Sequence, residues 1–224
     1  MGLSGSTTTR PRRPDHRGAV SATAPRWEWR SIARHLPLEM SRIEPGIIGP
    51  VLGSVDTYIL AQTSPHSVKI RDEALEVKRL LAIDALGLEL WRPTLRLHFP
   101  VRSEDLDELW SAWGLRPPTP LRTVLTFGDF IRDVVGADDS LTRVDVIKRR
   151  TKLVLGRCPG ERVSMLVRDK HWESLAFEHE DPALVVGVLR TLGLDPQSNS
   201  SYPTALRRIL GLPAPTRDAT KGVL

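Results

Sequence analysis

Residues 26–30 read Arg-Trp-Glu-Trp-Arg and run on into Ser31, Ile32 and Ala33. In an extended chain, side chains two positions apart share a face. Glu28 and Arg30 then point to one side and Trp27 and Trp29 to the other. The arrangement recurs along the chain. Lys69 and Arg71 alternate with Val68 and Ile70, Glu76 and Lys78 with Leu75 and Val77, and Glu178 and Glu180 follow Leu175 and Phe177. Lys148, Arg150 and Lys152 form a longer run of the same period. Each segment presents charge on one side and, for the most part, apolar surface on the other. Such strands could lie flat with the charged side in water. They could also close on themselves with the charges inward, lining a polar tunnel for a multiply charged ligand.

Further strands are predicted at Val55–Leu60, Ser67–Arg71, Ala74–Leu81, Leu88–Phe99, Thr142–Arg150, Thr151–Leu155, Arg162–Arg168 and Trp172–Glu180. Asp72-Glu73 is short enough for a hairpin turn. Pro93 implies an edge strand or a bulge. The Pro- and Gly-containing stretch through Pro45, Gly46, Gly49 and Pro50 reads as a connection, and Cys158-Pro159-Gly160 as a turn in which the cysteine is incidental.

Helices are expected where apolar residues recur at helical spacing. Ser103 is a candidate N-cap for a helix carrying Leu106, Leu109, Trp110 and Trp113 and ending at Gly114. Thr126 and Asp129 form a capping pair before Phe127, Phe130, Ile131 and Val134. Asp181 with Pro182 opens a third helix, closed by Gly193. A short fourth helix is expected around Pro203, Leu206 and Ile209. The apolar sides of the strands offer these stripes a surface. The expected fold class is therefore α+β: a closed antiparallel barrel of eight or nine strands, a tunnel, with helices packed outside.

The chain has 224 residues, 40% hydrophobic and 26% charged, which places it among globular sequences with one sizeable core. Its net charge of +5 owes much to Arg10, Arg12, Arg13, Arg17 and Arg26, opposed only by Asp15 in the same stretch. Residues 1–25 read as a disordered basic tail, 26–212 as a single domain, and 213–224 as a frayed end. The start also fits the short N-myristoylation pattern, with Gly2 and Ser6. No apolar run approaches the ~20 residues needed to cross a bilayer, so no membrane partner is expected. The single cysteine excludes an internal disulfide and fits a reducing, cytoplasmic compartment. The six histidines show no zinc spacing. Neither a phosphate-cradling G-x-x-x-x-G-K-[ST] loop nor a G-x-S-x-G nucleophile elbow is present.

Inward cations would suit phosphate: arginine offers a planar fork and lysine a point charge. Arg30, Lys69, Arg71, Lys78, Lys148, Arg150 and Lys152 are the candidates. Glu28, Glu178 and Glu180 could hold Mg²⁺ or Mn²⁺, which take oxygen ligands.

Taken in order, RWEWR (26–30), VKIR (68–71), LEVK (75–78), IKRR (147–150) and FEHE (177–180) resemble the CYTH domain, also called the triphosphate tunnel metalloenzyme superfamily. Its members include class IV adenylyl cyclases and thiamine, inorganic and RNA triphosphatases. The resemblance spans about residues 26–194. It implies an eight-stranded antiparallel tunnel whose basic residues bind triphosphate and whose first and last strands supply metal-binding acids. Glu28 matches the second acid of an E-x-E-x-K motif, Arg30 its lysine, and Glu178 and Glu180 the acidic pair of the last strand. Arg26 stands where the first acid would be, a reversal of charge.

The implied function is binding of a triphosphate or polyphosphate compound with a divalent metal, and hydrolysis of a phosphoanhydride bond. Alternatives are a non-catalytic polyphosphate or nucleotide binder, which Arg26 favours, a class IV-like adenylyl cyclase, and an RNA-associated module using the basic tail and the strand cations. RNA binding would fall steeply with salt and survive chelation.

Overall fold

The computed structural model describes residues 24–36 and 42–215. The expected basic tail lies outside the described residues up to position 23, as do Gly2 and Ser6 and, at the other end, residues 216–224.

The strands are β1 (Arg26–Ala33), β2 (Ile47–Ala61), β3 (Ser67–Arg71), β4 (Ala74–Ile83), β5 (Glu89–His98), β6 (Val101–Arg102), β7 (Val124–Leu125), β8 (Leu141–Leu155), β9 (Cys158–Val167) and β10 (Lys170–His179). Eight of them close into a barrel in the order β1-β10-β9-β8-β2-β3-β4-β5, and β5 pairs back onto β1. The two short strands β6 and β7 pair separately. Every barrel pairing is antiparallel, so the expected closed α+β barrel is the architecture observed.

Turn chemistry fixes the registers. Asp72 and Glu73 adopt φ of 49° and 57° between paired Arg71 and Ala74. Arg168 and Asp169 do the same, at 45° and 61°, between Val167 and Lys170. Two successive left-handed residues match the twist of the strands they join. Pro93 sits opposite Lys78 where the β4–β5 register shifts. It marks a bulge rather than an edge, since β5 has a partner on both sides.

Some local expectations need correction. The stretch from Ile47 through Gly49 and Pro50 is not a connection but the first part of β2. Gly49, with φ of 70°, and Pro50 fall within a register irregularity between Ile48 and Leu52, so the strand continues past residues that otherwise interrupt pairing. Residues 142–155 form one strand, not two. Cys158 lies inside β9 and is fully buried in the core beneath α3, while the turn falls at Gly156. Ser103 opens a 3-10 turn (Ser103–Asp105), and α1 (Asp107–Trp113) follows with Leu106 as its N-cap.

Two further helices begin as their caps foretell. Thr126 and Asp129 form a reciprocal capping box at α2 (Phe127–Asp129), which continues as a π-helical stretch, Phe130–Val135. The Asp181 side chain accepts from the Ala183 N–H at the start of α3 (Pro182–Leu192), and Gly193 ends it in the left-handed conformation. The last helix is α4 (Tyr202–Leu210).

The outer faces of the strands supply the apolar surface these helices need. α1 and α2 bury Ile59, Val68, Ile70, Leu75, Val77, Leu95 and Leu97. α3 covers Trp29, Leu153, Leu175 and Phe177. α4 differs, because its Ala205 and Leu206 pack on Ile32, Leu60, Val144, Val146, Val163, Met165 and Val167. These residues alternate in phase with Arg30, Tyr58, Lys148 and Glu161, so they belong to the barrel's interior face. α4 therefore fills one end of the lumen. Arg207 ties it there by donating to the carbonyls of Ala61 and Ser64.

Candidate functional site

Above α4 the lumen opens into a cavity of about 390 Å³. Its floor is Ser201, Tyr202 and Pro203, and its walls carry Glu28, Arg30, Lys69, Arg71, Lys78, Lys152, Glu161 and Glu178, with Arg26 among the lining residues. Strand alternation brings them together: on β1, β3, β4 and β10 the charged residues turn into the barrel while Trp29, Val68, Ile70, Leu75, Val77, Leu175 and Phe177 turn out to the helices.

The deepest charged pair is Asp56 and Lys148, whose side chains are 0% and 1% exposed. Lys148 Nζ donates to Asp56 Oδ2 at 3.0 Å and to the Tyr58 hydroxyl at 2.8 Å, and lies 3.6 Å from the centre of the Tyr202 ring. Asp56 also accepts from Arg71 through both carboxylate oxygens, and Lys69 stands 3.8 Å away. One buried carboxylate thus anchors three cations. Burial opposes its charge, but Arg71, Lys148 and Lys69 outweigh burial and hold Asp56 far below the usual carboxylate range. Burial pushes the Lys148 ammonium down, and Asp56 opposes that push.

A second cluster surrounds β1. Arg30 Nε donates to Glu28 Oε1 at 2.9 Å, and Arg30 Nη1 to Ser174 Oγ at 2.9 Å. The guanidinium stacks 4.5 Å above the Tyr202 ring, and Glu161 is 3.8 Å away. Burial pushes the Glu28 carboxyl up, but Arg30, Lys78 and Lys69 outweigh it and keep Glu28 ionised. At the barrel wall, Lys69 reaches Glu76 at 3.0 Å, and Arg96, its direct cross-strand partner on β5, reaches it at 2.7 Å. Glu89 accepts from Trp91 Nε1 at 2.9 Å. Burial, reinforced by the nearby charge of Glu28, raises its carboxyl to about 7.

The predicted cations are therefore gathered, with differences in depth. Arg30, Lys69, Arg71, Lys78 and Lys152 line the cavity. Lys148 lies below it, locked to Asp56. Arg150 shares the inward phase of β8, approaches Glu161 at 3.9 Å, and keeps a buried Nε with no hydrogen-bond partner. Of the predicted acids, Glu28 and Glu178 line the cavity, whereas Glu180 is exposed just beyond the end of β10.

Asp56, Glu161, Glu89 and Tyr202 were not among the sequence candidates. Asp56 and Tyr58 do alternate within a predicted strand, which is a readable signal for Asp56. Glu161 was hidden because the strand was expected to start one residue later. Tyr202 reaches the lumen only because α4 enters it.

The acids do not fit a resident divalent cation as they stand. Glu28 is taken by Arg30, and Glu178 accepts from Arg26 Nη1 at 2.9 Å. Among the described residues no three His, Cys, Asp or Glu side chains converge on a common metal position.

No family model and no curated protein matches the sequence. Solved structures share its outline. HpAC1 of Hippeastrum, described as an adenylyl cyclase candidate with a dominant triphosphatase activity, is 10% identical; the match covers 86% of this chain and 98% of that one, with a TM-score of 0.44. An adenylate cyclase candidate of Bacillus halodurans is 13% identical over 83% and 98% of the two chains, with a TM-score of 0.42. The PH1012 protein of Pyrococcus horikoshii OT3 is 16% identical over 77% and 94%, with a TM-score of 0.38. Likeness at this level describes a shared trace and is silent on chemistry. The chain itself is a closed antiparallel barrel of eight strands, with most of the charged motifs turned inward in the sequence order noted above.

Proposed function

We propose that the cavity binds the triphosphate or polyphosphate group of a small molecule. One observation carries this reading: Arg30, Lys69, Arg71, Lys78 and Lys152, drawn from β1, β3, β4 and β8, converge on one pocket closed below by α4. Burying cations at this density is costly unless a partner compensates them. Internal carboxylates compensate some. Lys78 and Lys152, for which no ion pair is found among the described residues, are left to meet an incoming anion.

Hydrolysis of a phosphoanhydride is the reaction such a seat would serve. Arg30, Lys69 and Arg71 would stabilise charge on a transferring phosphoryl group. Because arginines already engage Glu28 and Glu178, Mg²⁺ or Mn²⁺ enters this reading only as a counter-ion arriving on the phosphate.

Calorimetric titration with tripolyphosphate tests the binding. Lys78→Ala should weaken it about tenfold or more, since a charge-assisted contact is worth ~1.5–3 kcal/mol, with thermal stability unchanged. Equal binding by Lys78→Ala and the parent would remove Lys78 from the seat. Orthophosphate release from tripolyphosphate, thiamine triphosphate and ATP, with and without Mg²⁺ and Mn²⁺, separates hydrolysis from binding alone. A cyclic nucleotide product from ATP would instead favour the cyclase alternative.

A further inference from the structure

Three carboxylates stand in one row across adjacent strands. Glu28 on β1 is directly opposite Glu178 on β10 and also directly opposite Glu89 on β5. Opposed side chains in an antiparallel pair start only about 5 Å apart, and like charges there repel. Left bare, such a row would attract a hard divalent cation.

β1 supplies its own cations instead. Arg26, Glu28 and Arg30 follow one another on the strand's inward face, positive, negative, positive. Arg26 Nη1 meets Glu178 Oε1 at 2.9 Å, across the β1–β10 seam. Arg30 Nε meets Glu28 Oε1 at 2.9 Å, and its position is fixed from the other side by Ser174 Oγ and from below by the Tyr202 ring. The two arginines differ in depth: the side chains of Arg26 and Arg30 are 41% and 9% exposed. Arg30 is part of the interior, and Arg26 is a gatepost at the start of the strand.

We propose that Arg26 and Arg30 are built-in counter-ions for this carboxylate row, so that the cavity takes its oligophosphate ligand as a bare anion, with no divalent cation held by the protein. A guanidinium is a fixed positive charge that is not lost at any ordinary pH. It does the neutralising that a bound cation would do, and needs no supply of metal. This rests on the phosphate-binding reading for the identity of the ligand. The statement about the cation stands on the row and its arginines alone.

The test uses the full chain and two independent titrations. In the first, Mn²⁺ is added without phosphate and free Mn²⁺ is followed by electron paramagnetic resonance. The parent should show no saturable site below about 1 mM. Arg26→Gln uncovers Glu178 beside Glu28 and should gain a site at least about tenfold tighter, and adding Glu178→Gln should abolish it. Arg26 is too exposed for its loss to unfold the barrel, and a thermal melt of each variant checks this. Saturable micromolar Mn²⁺ binding by the parent, or no gain in Arg26→Gln, overturns the proposal.

In the second, tripolyphosphate is titrated into the parent in EDTA and then in Mg²⁺. Affinities within about threefold are expected, less than the loss of a single ordinary contact would cause. Binding that requires Mg²⁺ also overturns the proposal. Binding in neither buffer overturns the phosphate reading, and the Mn²⁺ titration still decides the question of the cation.

Discussion

The two halves of the barrel's interior are built by the same strands and could hardly differ more. On β8, Val144 and Val146 face α4, and Lys148, Arg150 and Lys152 continue the same face into the charged half. On β9, Val167, Met165 and Val163 give way to Glu161, and on β2, Leu60 gives way to Tyr58 and Asp56. The lower half follows the ordinary logic of a core, with a helix covering apolar residues. The upper half places charges where apolar residues would fold more cheaply. A fully packed lumen was available to this fold, as the lower half demonstrates. The charged half therefore reflects a demand other than stability, and Asp56 and the glutamates limit what that demand costs.

The comparison breaks most visibly at Asp56. Asp56→Ala leaves Lys148, Arg71 and Lys69 facing one another without their shared anion, and should cost about 3–5 kcal/mol in denaturant unfolding. A loss below ~1 kcal/mol would mean that water already compensates those cations. Lys148→Met, which removes the deepest cation and fills its volume, should cost less than Asp56→Ala, because Arg71 and Lys69 still pair with the carboxylate.

In the apolar half, Leu206→Ala should cost about 2–4 kcal/mol, since Leu206 is fully buried among inward-facing residues. Tripolyphosphate affinity in that variant, measured where it is folded, should stay within about threefold of the parent. A matching collapse of binding would show that the two halves are not separable.

A smaller effect sharpens the boundary at Glu89. With its folded carboxyl raised to about 7, Glu89 keeps its proton where the unfolded chain has lost it. Its contribution is full below the unfolded carboxylate range and is lost as pH rises through about 7. Between pH 5 and 8 the parent should therefore lose stability on the order of 2 kcal/mol. Glu89→Gln should flatten that slope and be the more stable of the two at pH 8. Parallel pH profiles would show that Glu89 ionises normally.

Much of this was legible in the sequence because alternation of period two survives even when the inward face is charged. Lys69 with Val68, Lys78 with Val77 and Glu178 with Phe177 each declared two faces, and the helices declared what would cover the apolar ones. The alternation could not say which face closed inward. That depends on pairing β5 with β1, a contact between segments about sixty residues apart in the chain. Boundaries failed where Gly or Pro sits inside a strand, as at Gly49-Pro50 and Pro159-Gly160, because paired neighbours override local preference. Tyr202 was opaque for a related reason: nothing local marks a helix that will enter a barrel rather than lie upon it. The tie between Arg26 and Glu178 spans 152 positions and became visible only once β1 and β10 were paired.

The central claim is that the charged half of the lumen is a seat for phosphate. A structure of the parent determined after equilibration with tripolyphosphate tests it most directly. The account predicts the anion inside the barrel, above the Tyr202 ring and in contact with Arg30, Lys69, Arg71 and Lys78. Tripolyphosphate bound only on the outer surface, with Arg30 still on Glu28 and Lys69 and Arg71 still on Asp56, would contradict it.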